Sequence, residues 1–194
     1  PLAELEARHL DAAVHRRHGR ARRFRRGLGL LDGRRGHGLG SLPNFRPLTP
    51  ARVSRVGQPI RDFSITTFDG QEITLSEQAG KVVLLNFWSS WCASCDEEGA
   101  ALEQVWQEVK SDGEILFLGV NYVDTDKDSL AFLERYAITY PNGADLGSRI
   151  ANYFKVDAVP ETYLINPDGT LAAIQIGPFE SADQVREFLA LAKE

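Results

Sequence analysis

Methionine is absent from this chain of 194 residues, cysteine occurs only twice, and no histidine lies beyond His37. With proline at position 1 and no Met anywhere, the chain is expected to be a processed product or part of a longer one. No stretch approaches the ~18 consecutive apolar residues of a membrane-spanning helix, so none is expected within it. The missing histidines bear on metals. A structural zinc site takes about four ligands, and Cys92 and Cys95 have no third cysteine to join them. Every histidine (His9, His15, His18 and His37) lies far upstream, so no metal site is expected. Cysteines so close together also exclude a disulfide framework, because a bridge across a short loop constrains the unfolded chain little. The pair suits chemistry better than stability.

Lysine is missing from residues 1–55, which hold 13 arginines against four acids (Glu4, Glu6, Asp11 and Asp32), a balance of +9. Residues 56–194 hold four arginines and five lysines against 23 acids, a balance of −14. A basic arm on an acidic body suggests phosphate neutralisation on nucleic acid or anionic lipid. Against that, Phe24 is the one aromatic in the most basic stretch, leaving no stacking platform. Arginine without lysine, among Gly, His and Leu, resembles translated GC-rich coding sequence, so no nucleic-acid partner is expected. Residues 1–14 have a short amphipathic helical pattern, and residues 15–40 have no sustained period and read as disordered. Pro43, Pro47, Pro50, Gly57 and Pro59 mark an extended linker over residues 41–59. The division expected is an arm and linker over residues 1–55 and one folded domain over residues 56–194.

Within that domain the pattern is regular. Residues 63–67 and 72–75 alternate around Asp69-Gly70, a hairpin signal. Residues 81–88 form a continuous apolar run, as a central strand covered on both faces requires. Residues 92–111 present Ala101, Leu102, Val105, Trp106 and Val109 on one helical face. A second buried strand over 114–121, helices over 127–136 and 146–154, a hairpin of 162–165 with 171–176, and a helix capped by Ser181 complete the pattern. The order β-β-β-α-β-α-α-β-β-α predicts an α/β sandwich, with helices on both faces of a mixed sheet.

Cys92-Ala93-Ser94-Cys95 falls where a buried strand ends and a helix begins. The unpaired amides and partial positive charge of a helix N-terminus favour thiolate at Cys92, and thiolate is the attacking species in disulfide exchange. Cys92 is therefore expected to be the exposed nucleophile. Cys95, one turn further and more buried, would resolve the mixed disulfide. Asp96, Glu97 and Glu98 in the first turn favour the helix but oppose a nearby thiolate, so only moderate acidification is expected.

Asn86-Phe87-Trp88-Ser89-Ser90-Trp91-Cys92-Ala93-Ser94-Cys95 resembles the active-site strand and turn of the thioredoxin superfamily, and within it the TlpA/ResA/DsbE-like oxidoreductases that include those serving cytochrome c maturation. The resemblance covers about residues 57–192. It implies a thioredoxin-like three-layer sandwich with an N-terminal β-hairpin and an inserted βα segment, for which the 65 positions from Cys95 to Pro160 leave room. Asn86 stands where ordinary thioredoxins place a buried Asp, and Glu98 matches the branch's active-site glutamate. Glu98 would tune the cysteine pKa values or shuttle a proton to Cys95, the alternative being plain helix N-terminal electrostatics shared with Asp96 and Glu97. Val159-Pro160-Glu161-Thr162 resembles the cis-proline loop, whose backbone would face the sulfurs and pair with an extended substrate. Trp91, Val159, Pro160 and Glu161 are the implied substrate-binding residues, with Asn86 and Trp88 supporting them. Ala100 departs from the branch, which has a helix-kinking proline there.

The implied activity is reduction of protein disulfides through Cys92 and Cys95, with no cofactor. The implied partners are a disulfide-containing protein, apocytochrome c among the candidates, and an upstream thiol donor. The implied setting is extracytoplasmic or periplasmic, the protein acting as a monomer, with any membrane anchor outside this chain. A thiol peroxidase is the alternative, although Ser89-Ser90-Trp91 before Cys92 lacks the Pro-x-x-x-Thr-x-x-Cys pattern of that chemistry. A non-catalytic binding module is the third reading.

Overall fold

Alternation around Asp69-Gly70 folds as a hairpin, in which β1 (Ser64–Thr66) pairs antiparallel with β2 (Glu72–Thr74). Gly70 takes a φ of 85°, a region that favours glycine, and its amide closes the turn on Thr67 O at 2.9 Å. The computed structural model describes residues 55–193; the patterns read over residues 1–14 and 15–40, and most of the linker of residues 41–59, lie outside the described residues. At the start of the described part, Arg55 donates to Tyr153 O at 2.6 Å and its guanidinium lies 4.9 Å from the Tyr153 ring centroid.

After the hairpin come β3 (Val82–Trp88), α1 (Ala93–Val109), β4 (Ile115–Asn121), α2 (Asp126–Arg135), β5 (Asn142–Ala144), α3 (Arg149–Phe154), β6 (Glu161–Ile165), β7 (Leu171–Ile176) and α4 (Ala182–Leu189). The main sheet has five strands in the order β5-β4-β3-β6-β7. β3 runs parallel to β4 and antiparallel to β6, so the sheet is mixed. This is the sandwich that the resemblance implies.

Two elements differ from the sequence reading. β5 is additional: Asn142-Gly143-Ala144 carries no strand propensity, and it is a strand because Gly119–Asn121 offers it a parallel partner. A Cβ on Gly143 would lie 2.4 Å from Thr66 O, so only glycine lets the hairpin pack there. The single helix read over 146–154 is broken. Residues Leu146–Ser148 form a 3-10 turn, Gly147 and Ser148 have φ of 71° and 52°, and α3 starts afresh with Asp145 accepting from Ile150 N (3.1 Å) and Ala151 N (2.8 Å).

The two-residue period of β3 assigns its side chains to two cores. Leu85 and Phe87 face the hairpin and α3, packing with Ile65, Ile73, Ile150, Phe154 and Tyr163. Leu84 faces α1 and α4, packing with Leu102, Val105, Val185 and Phe188. Burying each such side chain stabilises the fold by about 1.5–3 kcal/mol before the cost of ordering it. Asn86 and Trp88 share Leu84's face, and therefore point toward the helix that carries the cysteines.

Candidate active site

Cys92 is the N-cap of α1, in extended backbone, and its Sγ accepts from Cys95 N at 3.1 Å. The two cysteines form a disulfide. On reduction the same amide and the helix N-terminus act on the freed Cys92 sulfur, the arrangement that lowers a thiol pKa. Ser94 Oγ also lies 3.5 Å from Cys92 Sγ. The exposed nucleophile expected from the sequence is corrected here. Cys92 is only 6% exposed against 1% for Cys95, because Trp88, Phe132 and Val159 pack around the bridge. The order of accessibility holds, with Cys92 the less deeply buried of the two.

Trp91 is the opposite case, 61% exposed with its Nε1 donating to Val123 O at 2.8 Å. The Val159–Pro160 peptide bond is cis, and Val159 O lies 3.4 Å from Cys92 Sγ. Val159 is half-buried and Pro160 buried. Trp88 supports the site from below. Its ring stacks on Phe132 at 4.6 Å between centroids, and its Nε1 donates to Asn142 Oδ1 at 2.8 Å. Gly119 makes room for that bond, since a Cβ there would fall 1.6 Å from Asn142 Oδ1.

Glu98 is not a surface acid of the first turn. It is 1% exposed, whereas Glu97 is exposed and Asp96 half-buried. Asn86 Nδ2 donates to Glu98 Oε1 at 2.8 Å and to Thr162 Oγ1 at 3.0 Å, and Phe179 N donates to Glu98 Oε2 at 3.2 Å. Asn86 and Thr162 are cross-strand partners, so their side chains share a face. Burial raises the Glu98 pKa from 4.5 to about 7, against the opposing pull of the Asn86 and Phe179 donors. A carboxyl one helical turn from Cys95 therefore exchanges protons near neutral pH. Tyr140 lies in the same field; burial first, then the charges of Glu98 and Glu103, push its hydroxyl pKa up, so it stays neutral.

Glu161 is corrected as a substrate contact. Its side chain is 1% exposed, accepting from Tyr163 OH at 2.9 Å and Asp157 N at 3.4 Å. The reason is the strand period: with Thr162 turned toward α1, Glu161 must turn toward α3, on the side of the sheet away from Glu98. Among the described residues, no three His, Cys, Asp or Glu side chains converge as a metal would need.

The sequence reading missed Asp124. Its carboxylate accepts from Ser90 N (2.6 Å), Ser90 Oγ (2.9 Å), Asn121 Nδ2 (3.0 Å) and Thr125 N (2.8 Å), and Ser89 Oγ donates to Tyr122 O. Burial opposes ionisation, but these donors outweigh it and hold the pKa below the ordinary Asp value. A signal was available: Asp124 follows closely on the second buried strand read over 114–121, and ligands gather outside the carboxyl ends of such strands. Phe179, whose amide reaches Glu98 across 81 positions, left no sequence signal.

The profile of the AhpC/TSA family matches residues 56–174. Thiol-disulfide oxidoreductase ResA of Geobacillus kaustophilus is 32% identical over 128 residues, covering 66% of this chain and 73% of the relative. Thioredoxin-like protein YneN of Bacillus subtilis is 33% identical over 124 residues, 62% of this chain and 71% of the relative. Among solved structures, MTB dsbF in its mixed oxidised and reduced forms superposes with a TM-score of 0.61 at 27% identity, over 67% of this chain and 95% of that one.

Proposed function

The chain belongs to the AhpC/TSA family and is a ResA-like thiol–disulfide oxidoreductase, and on that premise we propose that it works as a reductase of disulfides in extracytoplasmic proteins. The observation that carries the direction is the charge around Cys92. Helix α1 offers the sulfur its N-terminal amides, but Asp96, Glu97 and the ionised Asp124 lie close by in sequence or across the turn. Strongly oxidising pairs owe their potential to a well-stabilised reduced form. Acids around Cys92 withhold that stabilisation, which favours giving electrons over taking them.

In the forward reaction the Cys92 thiolate attacks one sulfur of the substrate disulfide. The Cys92–substrate bond forms, the substrate S–S bond breaks, and the departing sulfur takes up a proton. Cys95 then gives its proton to the Glu98 carboxylate, attacks Cys92 Sγ and releases the second substrate sulfur as a thiol. One dithiol has become a disulfide, and one disulfide a dithiol. The electron pair is carried by the sulfurs themselves, so the proposal includes no cofactor; an upstream thiol protein restores the dithiol. Val159 offers backbone beside the sulfur to an extended segment, Pro160 O being taken by Gly177 N at 3.0 Å, and Trp91 offers an exposed ring. Apocytochrome c is the specific substrate to test, on the resemblance to the branch that serves its maturation.

The test is the Cys92–Cys95 potential together with turnover of a protein disulfide. A value near the about −270 mV of thioredoxin supports the reductase, and one near the about −120 mV of DsbA overturns it. Peroxide consumption by the purified protein at a rate above its disulfide exchange would favour the peroxidase instead.

A further inference from the structure

We propose that Arg61, Arg149 and the hydroxyl of Tyr153 form an oxyanion site, suited to a phosphate group, in the cavity between the hairpin and α3. The site lies on the α3 face of the sheet and uses neither cysteine, so the inference goes beyond the disulfide chemistry and does not depend on it. The cavity, of about 860 Å³, is lined by residues 61–68 of the hairpin segment and by Asp145, Arg149, Ile150 and Tyr153 among others. Charge makes the first argument. Residues 56–194 hold 23 acids against four arginines and five lysines, so a basic side chain there has carboxylates to choose from. Arg186 pairs with two of them, Glu108 and Asp183. Arg61 and Arg149 pair with none among the described residues, although both line one cavity. The cavity acids closest to them in sequence are already engaged. Asp62 accepts from Ser76 N (2.9 Å) and Ser76 Oγ (2.8 Å), and Asp145 accepts from Ile150 N and Ala151 N. Of the remaining acids that line the cavity, Glu72 stands opposite Thr66 at the far end of β1, and Asp126 begins α2.

Hydrogen bonding makes the second argument, and Tyr153 brings the two arginines together. Arg61 N donates to Tyr153 OH at 2.8 Å. Arg149 precedes Tyr153 by one helical turn on α3 and shares its face, and a helical tyrosine leans back over the turn before it. A third cation, the Arg55 guanidinium, lies 4.9 Å from the Tyr153 ring centroid. The Tyr153 hydroxyl already accepts one bond, and its own proton has no acceptor among the described residues. What these side chains offer is donors alone: one O–H and two guanidinium forks. A ligand that only accepts, and that carries more than one negative charge, matches this set. Arginine forks bind phosphate oxygens in pairs, which makes phosphate the matching class. The first amides of α3 take no part, because Asp145 caps them.

The experiment uses the oxidised full chain and inorganic phosphate, with chloride at matched ionic strength as the reference. Every variant keeps the same basic residues 1–54, so differences between variants report the site. Phosphate at ~10 mM is expected to raise the wild-type Tm by about 3 °C, the effect of a ligand at about tenfold its Kd. The Arg61 and Tyr153 amide resonances should shift saturably over the same range. Arg61→Ala and Arg149→Ala are each expected to weaken binding about tenfold, and Tyr153→Phe, which keeps the ring and loses the hydroxyl, about fivefold. Arg135→Ala, on α2, should bind as the wild type does. Vesicles of phosphatidylcholine with and without phosphatidylglycerol identify the source of the phosphate. Partition onto the anionic vesicles that falls about tenfold in the Arg61→Ala/Arg149→Ala double variant assigns the site to a lipid headgroup, and unchanged partition assigns it to a free phosphate. No rise in Tm beyond that in chloride, or an equal rise in the double variant, overturns the site. Succinate bound as tightly as phosphate overturns the phosphate class. None of these readouts involves thiol exchange, so failure of the reductase reading would leave them unmoved, and their failure would leave the reductase standing.

Discussion

Glu98 and Glu161 are equally buried, at 1% exposure, and both belong to segments that meet at the disulfide, yet the structure uses them differently. Glu98 lies on the α1 face of the sheet, held by a side-chain amide and a backbone amide, and its pKa is raised to about 7. Glu161 lies on the α3 face, where it joins Tyr163 OH and Asp157 N and secures the strand that follows Pro160. Depth is the same; the face and the partners are not. A buried carboxylate near a reactive sulfur is thus no sign of chemistry until the side of the sheet is known. The α1 face holds the sulfurs and the titrating group, and the α3 face holds them in place.

The sharpest test of that division is Cys92→Ser, expected to lower protein-disulfide exchange on the order of 10³-fold or more, with the fold intact by circular dichroism. Residual exchange near the wild-type rate would remove the nucleophile from the α1 face. On the other face, Phe87→Ala is expected to cost about 4 kcal/mol in urea unfolding while the disulfide potential stays at its wild-type value; a shifted potential would show that the faces are not separable. Glu98→Gln tests the titration. Because the folded pKa of about 7 lies above the unfolded value of 4.5, the carboxyl contributes its stability in full below pH 4.5 and loses it as pH rises through 7. The stability of the oxidised wild type relative to the variant should therefore fall by up to roughly 3 kcal/mol between pH 4.5 and pH 8, and a flat difference would contradict it. The smallest effect belongs to Glu161→Gln, which should cost about 1–2 kcal/mol of stability through its weakened bonds, with exchange kinetics following the wild type. A rise in KM for a peptide disulfide would return Glu161 to the substrate.

Most of the sandwich was legible because its strands and helices repeat with clean periods. The run from Val82 to Trp88 could only be a covered strand, and Leu102, Val105 and Val109 marked the buried side of α1. What escaped was structure created by neighbours. Asn142-Gly143-Ala144 has no strand character of its own, and becomes β5 because β4 presents a free edge and Gly143 lets the hairpin approach. Residues 146–154 look like one helix until Gly147 and Ser148 turn left-handed and Asp145 caps a second start. At the site, Cys92, Cys95 and cis-proline Pro160 carried motifs that could be read directly. Asp124 reaches Ser90 across 34 positions and Phe179 reaches Glu98 across 81, distances over which no local period specifies a partner.

The sequence by itself determined the reacting pair and its setting: two sulfurs, a short gap, a buried strand before them and a helix after. Local physics suffices for that, because a helix N-terminus and its N-cap are made of neighbouring residues. Tertiary structure alone decided how those sulfurs are presented. Packing of Phe132 and Val159 around the bridge left Cys92 buried, at 6% exposure. Register between β3 and β6 joined Asn86 to Thr162 and set Asn86 to donate to the buried Glu98, while the same period turned Glu161 away. Desolvation and strand alternation act through contacts that only the folded chain makes, and they separate the acid that titrates from the acid that braces.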